Sequence, residues 1–179
     1  RRAGSSIWMI AMPASSRSAR CTEQGVVAAL ATADYEAVVM THHETTTGTL
    51  NPIGDWAKLA KAAGSKVLVD AMSSFGADAL DLSDVDAFCS SSNKCLHGIP
   101  GVSFVLARPE VAFGSPRGYY LHLPRYAGDD PPLTPPVPAM LALDVALEEY
   151  EAQGGRPARE KQYRTRGEAA AKALWELGC

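Results

Sequence analysis

Several patterns that define common protein classes are missing from this sequence. Its four cysteines, Cys21, Cys89, Cys95 and Cys179, include no CxxC pair, so neither a zinc site nor a disulfide framework is indicated. No segment approaches the ~20 consecutive apolar residues that span a bilayer. The 17 Lys and Arg do not outnumber the 20 Asp and Glu, which argues against nucleic-acid binding. We therefore expect a cytoplasmic protein with reduced cysteines and no membrane or nucleic-acid partner.

Motifs for nucleotide and metal binding are missing too. Neither the GxxxxGK(S/T) phosphate loop nor the GxGxxG dinucleotide fingerprint occurs in the sequence. His42 and His43 are adjacent on a presumed strand end, so their side chains would point in opposite directions. We expect no bound metal, because the ligands of one ion have to be clustered. The apolar run at residues 7–12 falls below the ~7–15 residues of a signal-peptide core, and we expect no such peptide.

What remains is the alternation of strands and helices that is typical of an α/β protein. Short apolar runs predict strands at residues 37–41, 66–70, 85–90 and 102–107. Helical patterns follow Thr22, Pro52 and Pro136, and a last helix is predicted at about residues 156–177. This order predicts a mainly parallel sheet flanked by helices. Residues 1–36 are much less readable than residues 37–179.

Two of the predicted helices have faces that we expect to be buried, because their apolar residues recur at helical spacing. In the helix after Thr22 these residues are Val26, Val27 and Leu30. In the last helix they are Tyr163, Ala170, Ala173 and Leu174.

Polar clusters follow three of the predicted strands. Their sequences are HHETTTG at residues 42–48, DAMSS at 70–74 and SSSNK at 90–94. In an open parallel sheet, ligands bind outside the carboxyl ends of the strands. We therefore expect the three clusters to meet in one crevice, although each alone is also compatible with an ordinary polar turn.

Asp70 and Lys94 are the residues in these clusters with the clearest chemistry. A lysine in a tight polar turn can act as a nucleophile toward an aldehyde, although most lysines simply face solvent. Gly98 and Gly101 would allow a ring to approach the backbone closely. A carboxylate at a strand end can keep a pyridinium nitrogen protonated, although turn-capping aspartates are common.

Three stretches resemble class V aminotransferases of the fold-type I pyridoxal-phosphate group. They are HETTTGTLNP at residues 43–52, VDAMSSFG at 69–76 and SSNKCLHGIPG at 91–101, with a weaker match from Thr134 into the last helix. Within that family, the resemblance is strongest to transaminases of 2-aminoethylphosphonate and pyruvate. It implies amino transfer between a small amine and a 2-oxo acid, with pyridoxal 5'-phosphate as the cofactor.

The resemblance also implies a role for individual residues. Lys94 matches the lysine that binds the cofactor as a Schiff base and later moves the proton. Asp70 matches the partner of the pyridine nitrogen, and Thr47 the threonine near the ring's phenolic oxygen. Asn93 lies where relatives place a polar side chain beside the cofactor phosphate. Thr134 matches a threonine that reaches the cofactor of the neighbouring subunit, which implies a homodimer.

Parts of the family pattern are not found in the sequence, and this keeps other readings open. We find no glycine-containing phosphate loop, no aromatic residue stacked on the ring and no substrate-binding arginine of the small domain. We expect residues 37–179 to be part of the large domain, without the small domain. The alternatives are an alanine–glyoxylate type aminotransferase, a cysteine desulfurase or a non-catalytic remnant of the family.

Overall fold

The computed structural model describes residues 7–10, 21–111, 118–126 and 133–178. The strands are β1 (Ile7–Ile10), β2 (Ala37–Thr41), β3 (His43–Glu44), β4 (Thr49–Leu50), β5 (Lys66–Asp70), β6 (Ala87–Ser91) and β7 (Ser103–Ala107). The α-helices are α1 (Glu23–Leu30), α2 (Ile53–Ala62), α3 (Val137–Ala152) and α4 (Gly155–Glu176). A 3-10 helix covers Leu123–Tyr126.

A mainly parallel sheet organises the described residues. Its strand order is β1-β2-β5-β6-β7; the first four strands are parallel, and β7 runs antiparallel to β6. The predicted α/β class is therefore confirmed. The strand predicted at 85–90 is shifted, because the Asp86 carboxylate accepts a hydrogen bond from the Val67 amide at 2.7 Å and ladder pairing with β5 starts at Ala87.

The core lies on one face of this sheet. Alternate residues of β2 and β5 are buried there, since neighbouring side chains of a strand point to opposite faces; they are Val38, Met40, Val67 and Val69. Trp56 of α2 packs into the same cluster. The other face of β5 carries Leu68 and Asp70, which are only half-buried. Asp70 is therefore on the sheet face turned away from α2.

The helix α1 begins where the sequence predicts, and its buried face is narrower than predicted. The Thr22 hydroxyl accepts a hydrogen bond from the Gly25 amide at 3.2 Å, which caps the helix. Val26 is fully buried and Leu30 packs partly against the core. The prediction for Val27 was wrong, because this side chain is 48% exposed. Because α1 has only about two turns, Val26 and Leu30 are sufficient to pack it against the core.

The last helix also buries less than its periodicity predicts. Tyr163 is half-buried, as expected, but Ala170, Ala173 and Leu174 are exposed. Arg159 and Tyr163, both in the first half of α4, form its hydrogen bonds to the turn after β6. No helix in the described part of the chain is long and apolar enough to cross a membrane.

Candidate active site

The turns after β2, β5 and β6 meet at the carboxyl edge of the sheet. The His42 amide donates to the Asp70 carbonyl at 2.9 Å. Ser73 Oγ donates to the His43 carbonyl at 3.0 Å, and the Cys95 thiol donates to the Ser73 carbonyl at 3.3 Å. The turn after Asp70 is thus bonded to both of its neighbours. The three polar clusters are close in space, as the parallel topology predicts.

Asp70 is the last residue of β5 and is half-buried. Its Oδ1 accepts a hydrogen bond from the Met72 amide at 2.9 Å, so one oxygen is used to shape the turn. In the register of the sheet, Asp70 lies between Thr41 and Cys89. Burial and, secondly, the negative charge of Asp70 raise the pKa of the Cys89 thiol. The carboxylate therefore acts electrostatically on the face that carries Cys89.

Lys94 lies in the turn that follows β6, and its side chain is exposed. The turn is closed by hydrogen bonds from Gly98 N to Ser92 O at 2.8 Å and from His97 N to Lys94 O at 3.0 Å. His97 has a left-handed backbone with φ of 62°, which is uncommon for a residue other than glycine. No described residue forms a hydrogen bond or ion pair with the Lys94 amine, which leaves it available to a ligand.

Of the other three predicted site residues, two lie at the carboxyl edge of the sheet and the third does not contact it in the described structure. Thr47 lies in the turn between β3 and β4, where its hydroxyl donates to the Thr49 hydroxyl at 2.9 Å. Asn93 is exposed directly beside Lys94. Both belong to the clusters at the carboxyl edge. Thr134 is exposed just before α3, and no described contact brings it to that edge; its expected role concerns a second subunit.

His42 is a structural residue in the described chain. It is 3% exposed, and its Nδ1 pairs with Ser74 Oγ at 2.9 Å. Burial lowers the pKa of His42, which outweighs the opposing effect of Asp78. A buried, neutral histidine bonded to a buried serine fixes the start of the turn after β2, and its small exposed edge faces a cavity lined by Asn51 and Leu80.

Sequence reasoning missed the contacts that reach this edge from the last two helices. Arg159 donates to the Cys95 carbonyl at 2.8 Å, and Tyr150 donates to the Gly76 carbonyl at 2.8 Å. Tyr163 pairs with His97 Nε2 at 2.6 Å. The available signal was that Arg159 precedes the inward-facing Tyr163 by one helical turn and so shares its face.

A cavity of about 780 Å³ lies beside the Asp70 face of the sheet. Cys89, which neighbours Asp70 in the sheet, is part of its wall, together with Met72, Val105, Tyr120 and Tyr126. This volume is within the range of small-molecule and cofactor sites. Neither Asp70 nor Lys94 is among the residues of its wall, so the cavity adjoins the candidate site and is not formed by it.

Comparison with known proteins assigns the chain to a family. Residues 11–177 match the model of the family described as Aminotransferase class-V. The chain belongs to this class-V aminotransferase family. The resemblance inferred from its sequence motifs is thus confirmed.

Relatives of this class-V aminotransferase chain carry a more specific name. The 2-aminoethylphosphonate–pyruvate transaminase of Burkholderia thailandensis is 40% identical over 166 residues, which cover 87% of this chain and 45% of that protein. A protein of the same name from Pseudomonas aeruginosa is 39% identical over 152 residues and is covered to 41%. The chain thus spans less than half the length of these curated relatives.

Solved structures confirm the fold of the class-V chain. Pyridoxamine–pyruvate aminotransferase from Mesorhizobium loti is 32% identical with a TM-score of 0.67, over 75% of this chain and 38% of that chain. Alanine–glyoxylate aminotransferase from Nostoc sp. has a TM-score of 0.79 at 24% identity, over 88% and 45% of the two chains. At 24% identity, the likeness to the Nostoc protein shows the fold alone. The predicted fold class, a mainly parallel sheet flanked by helices as in fold-type I aminotransferases, is therefore correct. The assignment of residues 37–179 to the large domain stays a prediction.

Family membership implies pyridoxal phosphate as the cofactor, and the residues present fit such a group. Lys94 offers a primary amine with no partner in the described part of the chain, and an amine is the nucleophile that an aldehyde requires. Asp70 offers a carboxylate with one oxygen not engaged by the turn, which suits a protonated ring nitrogen. Asp70 ends β5 and Lys94 lies in the turn after the adjacent strand β6, at one edge of the sheet. The donor set therefore has the chemistry that this cofactor needs.

Proposed function

We propose that this chain carries the lysine and the carboxylate of a site that transfers the amino group of 2-aminoethylphosphonate to pyruvate. The products are phosphonoacetaldehyde and alanine. The observation that carries the proposal is the hydrogen-bonded junction of the turns after β5 and β6, which follow Asp70 and contain Lys94. The choice of substrates is supported by relatives about 40% identical that are named for this reaction.

The proposed roles of the site residues are cofactor binding and proton transfer. When bound, pyridoxal phosphate supplies an aldehyde and an electron-withdrawing ring. Lys94 would hold that aldehyde carbon through its amine, and its free amine would take and return the proton at the substrate carbon that bears nitrogen. Asp70 would keep the ring nitrogen protonated through a charge-assisted hydrogen bond. Thr47, from the turn between β3 and β4, and Asn93, which directly precedes Lys94, would add polar contacts.

Two further features remain predictions. Thr134 is expected to contact the cofactor of a second subunit, so the active form would be a homodimer. A cytoplasmic location is likewise expected. Cross-linking of the purified chain with and without pyridoxal phosphate tests the first of these.

The cofactor claim is tested by trapping. The chain is mixed with pyridoxal phosphate, reduced with borohydride and digested, and the modified peptide is identified by mass spectrometry. We expect the adduct on Lys94 and its loss in Lys94→Ala. Lys58→Ala is the matched control, because Lys58 is exposed and lies on α2, away from the carboxyl edge. A folded wild-type chain that is modified equally at Lys58 and Lys94 would contradict the proposal.

Asp70→Asn separates charge from shape. Asparagine keeps an oxygen that accepts from the Met72 amide, so the turn is retained while the negative charge is lost. A hydrogen bond to a charged group contributes about 1.5 to 3 kcal/mol, so cofactor affinity should fall about 10- to 100-fold. Unchanged affinity would show that Asp70 serves the turn alone.

The substrate is tested separately from the cofactor. Alanine formation is measured with pyruvate and a panel of amines that includes 2-aminoethylphosphonate. A second reaction with alanine and glyoxylate tests the alternative aminotransferase type. We expect turnover with the phosphonate amine to exceed turnover with its carboxylate analogue, β-alanine. Equal rates would contradict the proposed substrate while leaving the cofactor site intact.

A further inference from the structure

The turn that contains Lys94 is attached to the last two helices through one buried cation. Arg159 is the one residue of α4 that the described structure buries, at 4% exposure. Its Nη1 donates to the Cys95 carbonyl at 2.8 Å. Cys95 directly follows Lys94 and is also bonded through its thiol to Ser73. The residue next to the lysine is therefore held from two sides.

Arg159 is itself fixed by its neighbours on α3 and at the helix junction. Its Nη2 donates to Gln153 Oε1 at 3.2 Å, and the guanidinium lies 5.4 Å from the centre of the Tyr150 ring. The Tyr150 hydroxyl in turn donates to the Gly76 carbonyl, in the turn that follows Asp70. One connected group of side chains thus touches both the lysine turn and the aspartate turn.

A second contact from α4 acts on the same turn. Tyr163 pairs with His97 Nε2 at 2.6 Å. His97 also donates its amide to the Lys94 carbonyl and has a left-handed backbone conformation. Such a conformation persists where surrounding contacts impose it, and Tyr163 supplies one of them.

The charge of Arg159 is not explained by packing alone. None of the ion pairs among the described residues includes this guanidinium, and a buried charge without a carboxylate partner is costly. An apolar side chain of similar length would fill the space without a charge to desolvate. What such a side chain could not do is donate to the Cys95 carbonyl and to Gln153 at once.

We propose that Arg159 is a positioning residue for Lys94. Together with Tyr150 it forms a bracket that fixes the lysine turn relative to the turn after Asp70, so that the Lys94 amine and the Asp70 carboxylate can act on one bound cofactor. The effect on cofactor binding rests on the proposed function. The bracket itself is a property of the chain with or without a ligand.

The first measurement is hydrogen exchange of the free chain, followed by mass spectrometry. The His97 and Gly98 amides close the lysine turn, so they report on its order. In Arg159→Met we expect these amides to exchange about 10-fold faster, because one charge-assisted hydrogen bond is lost. Exchange of the β5 amides should be unchanged. Arg164→Met is the matched control, because Arg164 is an exposed arginine on the same helix. Equal exchange in all three chains would overturn the proposal.

The second measurement is the titration of each folded chain with pyridoxal phosphate, read as the adduct trapped on Lys94. A positioning role predicts a half-saturation concentration raised about 10-fold in Arg159→Met, with Arg159→Lys between this variant and the wild type. A merely structural role would lower the amount of chain that reacts and leave the half-saturation concentration unchanged. That result would overturn the proposal, as would unfolding of both Arg159 variants.

Together the two measurements distinguish failure of the proposed function from failure of the bracket. If the wild-type chain forms no adduct on Lys94, the proposed function fails, while hydrogen exchange still decides whether the bracket orders the turn. If the wild type is trapped on Lys94 and Arg159→Met behaves identically in both measurements, the bracket is refuted and the proposed function stands.

Discussion

Substitution of Gly76 tests the contact between the turn after β5 and the turn after β6. Gly76 has φ of +95°, and a Cβ at this position would lie 2.9 Å from Leu96 Cδ2. Leu96 is 3% exposed and lies two residues after Lys94. Gly76→Ala therefore has two costs, a strained backbone in the turn after β5 and the displacement of a buried side chain in the turn after β6.

The magnitude follows from these two costs. A left-handed backbone costs an L-residue about 1 to 2 kcal/mol, and overpacking a buried contact costs about 1 to 3 kcal/mol. Gly76→Ala should thus lower the free energy of unfolding by about 2 to 5 kcal/mol. Gly64→Ala is the matched control: Gly64 has φ of +82° and nothing within 4 Å of its Cβ position, so it isolates the backbone strain of about 1 to 2 kcal/mol.

The assay is urea denaturation of both variants at one temperature, with the trapping of pyridoxal phosphate on Lys94 as a second readout. We expect Gly76→Ala to exceed Gly64→Ala in cost and to impair trapping, and Gly64→Ala to leave trapping of the folded chain unchanged. The double variant Gly76→Ala/Leu96→Ala should cost less than the sum of its parts, because the methyl group enters the space vacated by Leu96. Equal costs of the two glycine variants, or strict additivity with Leu96→Ala, would refute the packing of these turns.

Two further predictions concern the fold that supports the site. Asp86→Ala should cost about 2 to 3 kcal/mol in urea denaturation, because it removes the partner of the Val67 amide and of Lys61. Asp55→Ala breaks an exposed ion pair and should cost under about 1 kcal/mol; equal costs would contradict the reasoning. Burial lowers the pKa of His42, so the unfolded chain takes up its proton more readily and wild-type stability should fall as pH drops below about 6.5. The stability advantage of wild type over His42→Gln should shrink from pH 7.5 to 5.5, and a constant advantage would count against a neutral, buried His42.

Local pattern was sufficient to predict the strand that ends at Asp70 and the turn that contains Lys94. The apolar run ending at Asp70 predicts a strand, and the polar, glycine-flanked sequence around Lys94 predicts a turn. Parallel topology then brings the two to one edge of the sheet, because the carboxyl ends of parallel strands lie side by side. No distant contact has to be known for this step, and the motifs alone carried the family resemblance that the comparisons confirm.

Contacts between distant parts of the chain could not be predicted in the same way. Tyr163 reaches His97 across 66 residues of sequence and Tyr150 reaches Gly76 across 74, and no local pattern encodes either pairing. Periodicity also overstated burial at Val27 and Leu174, since it reports which residues share a helix face and not how much of that face finds a partner. Arg159 was missed for the related reason that a buried cation looks, in sequence, like an ordinary charged helix residue.

The most direct test of the central claim is the site of covalent modification after pyridoxal phosphate and borohydride are added to the folded chain. We expect one dominant adduct, on Lys94, that is lost in Lys94→Ala and weakened in Asp70→Asn. A folded chain whose adducts are spread over its exposed lysines, with no preference for Lys94, would contradict this claim.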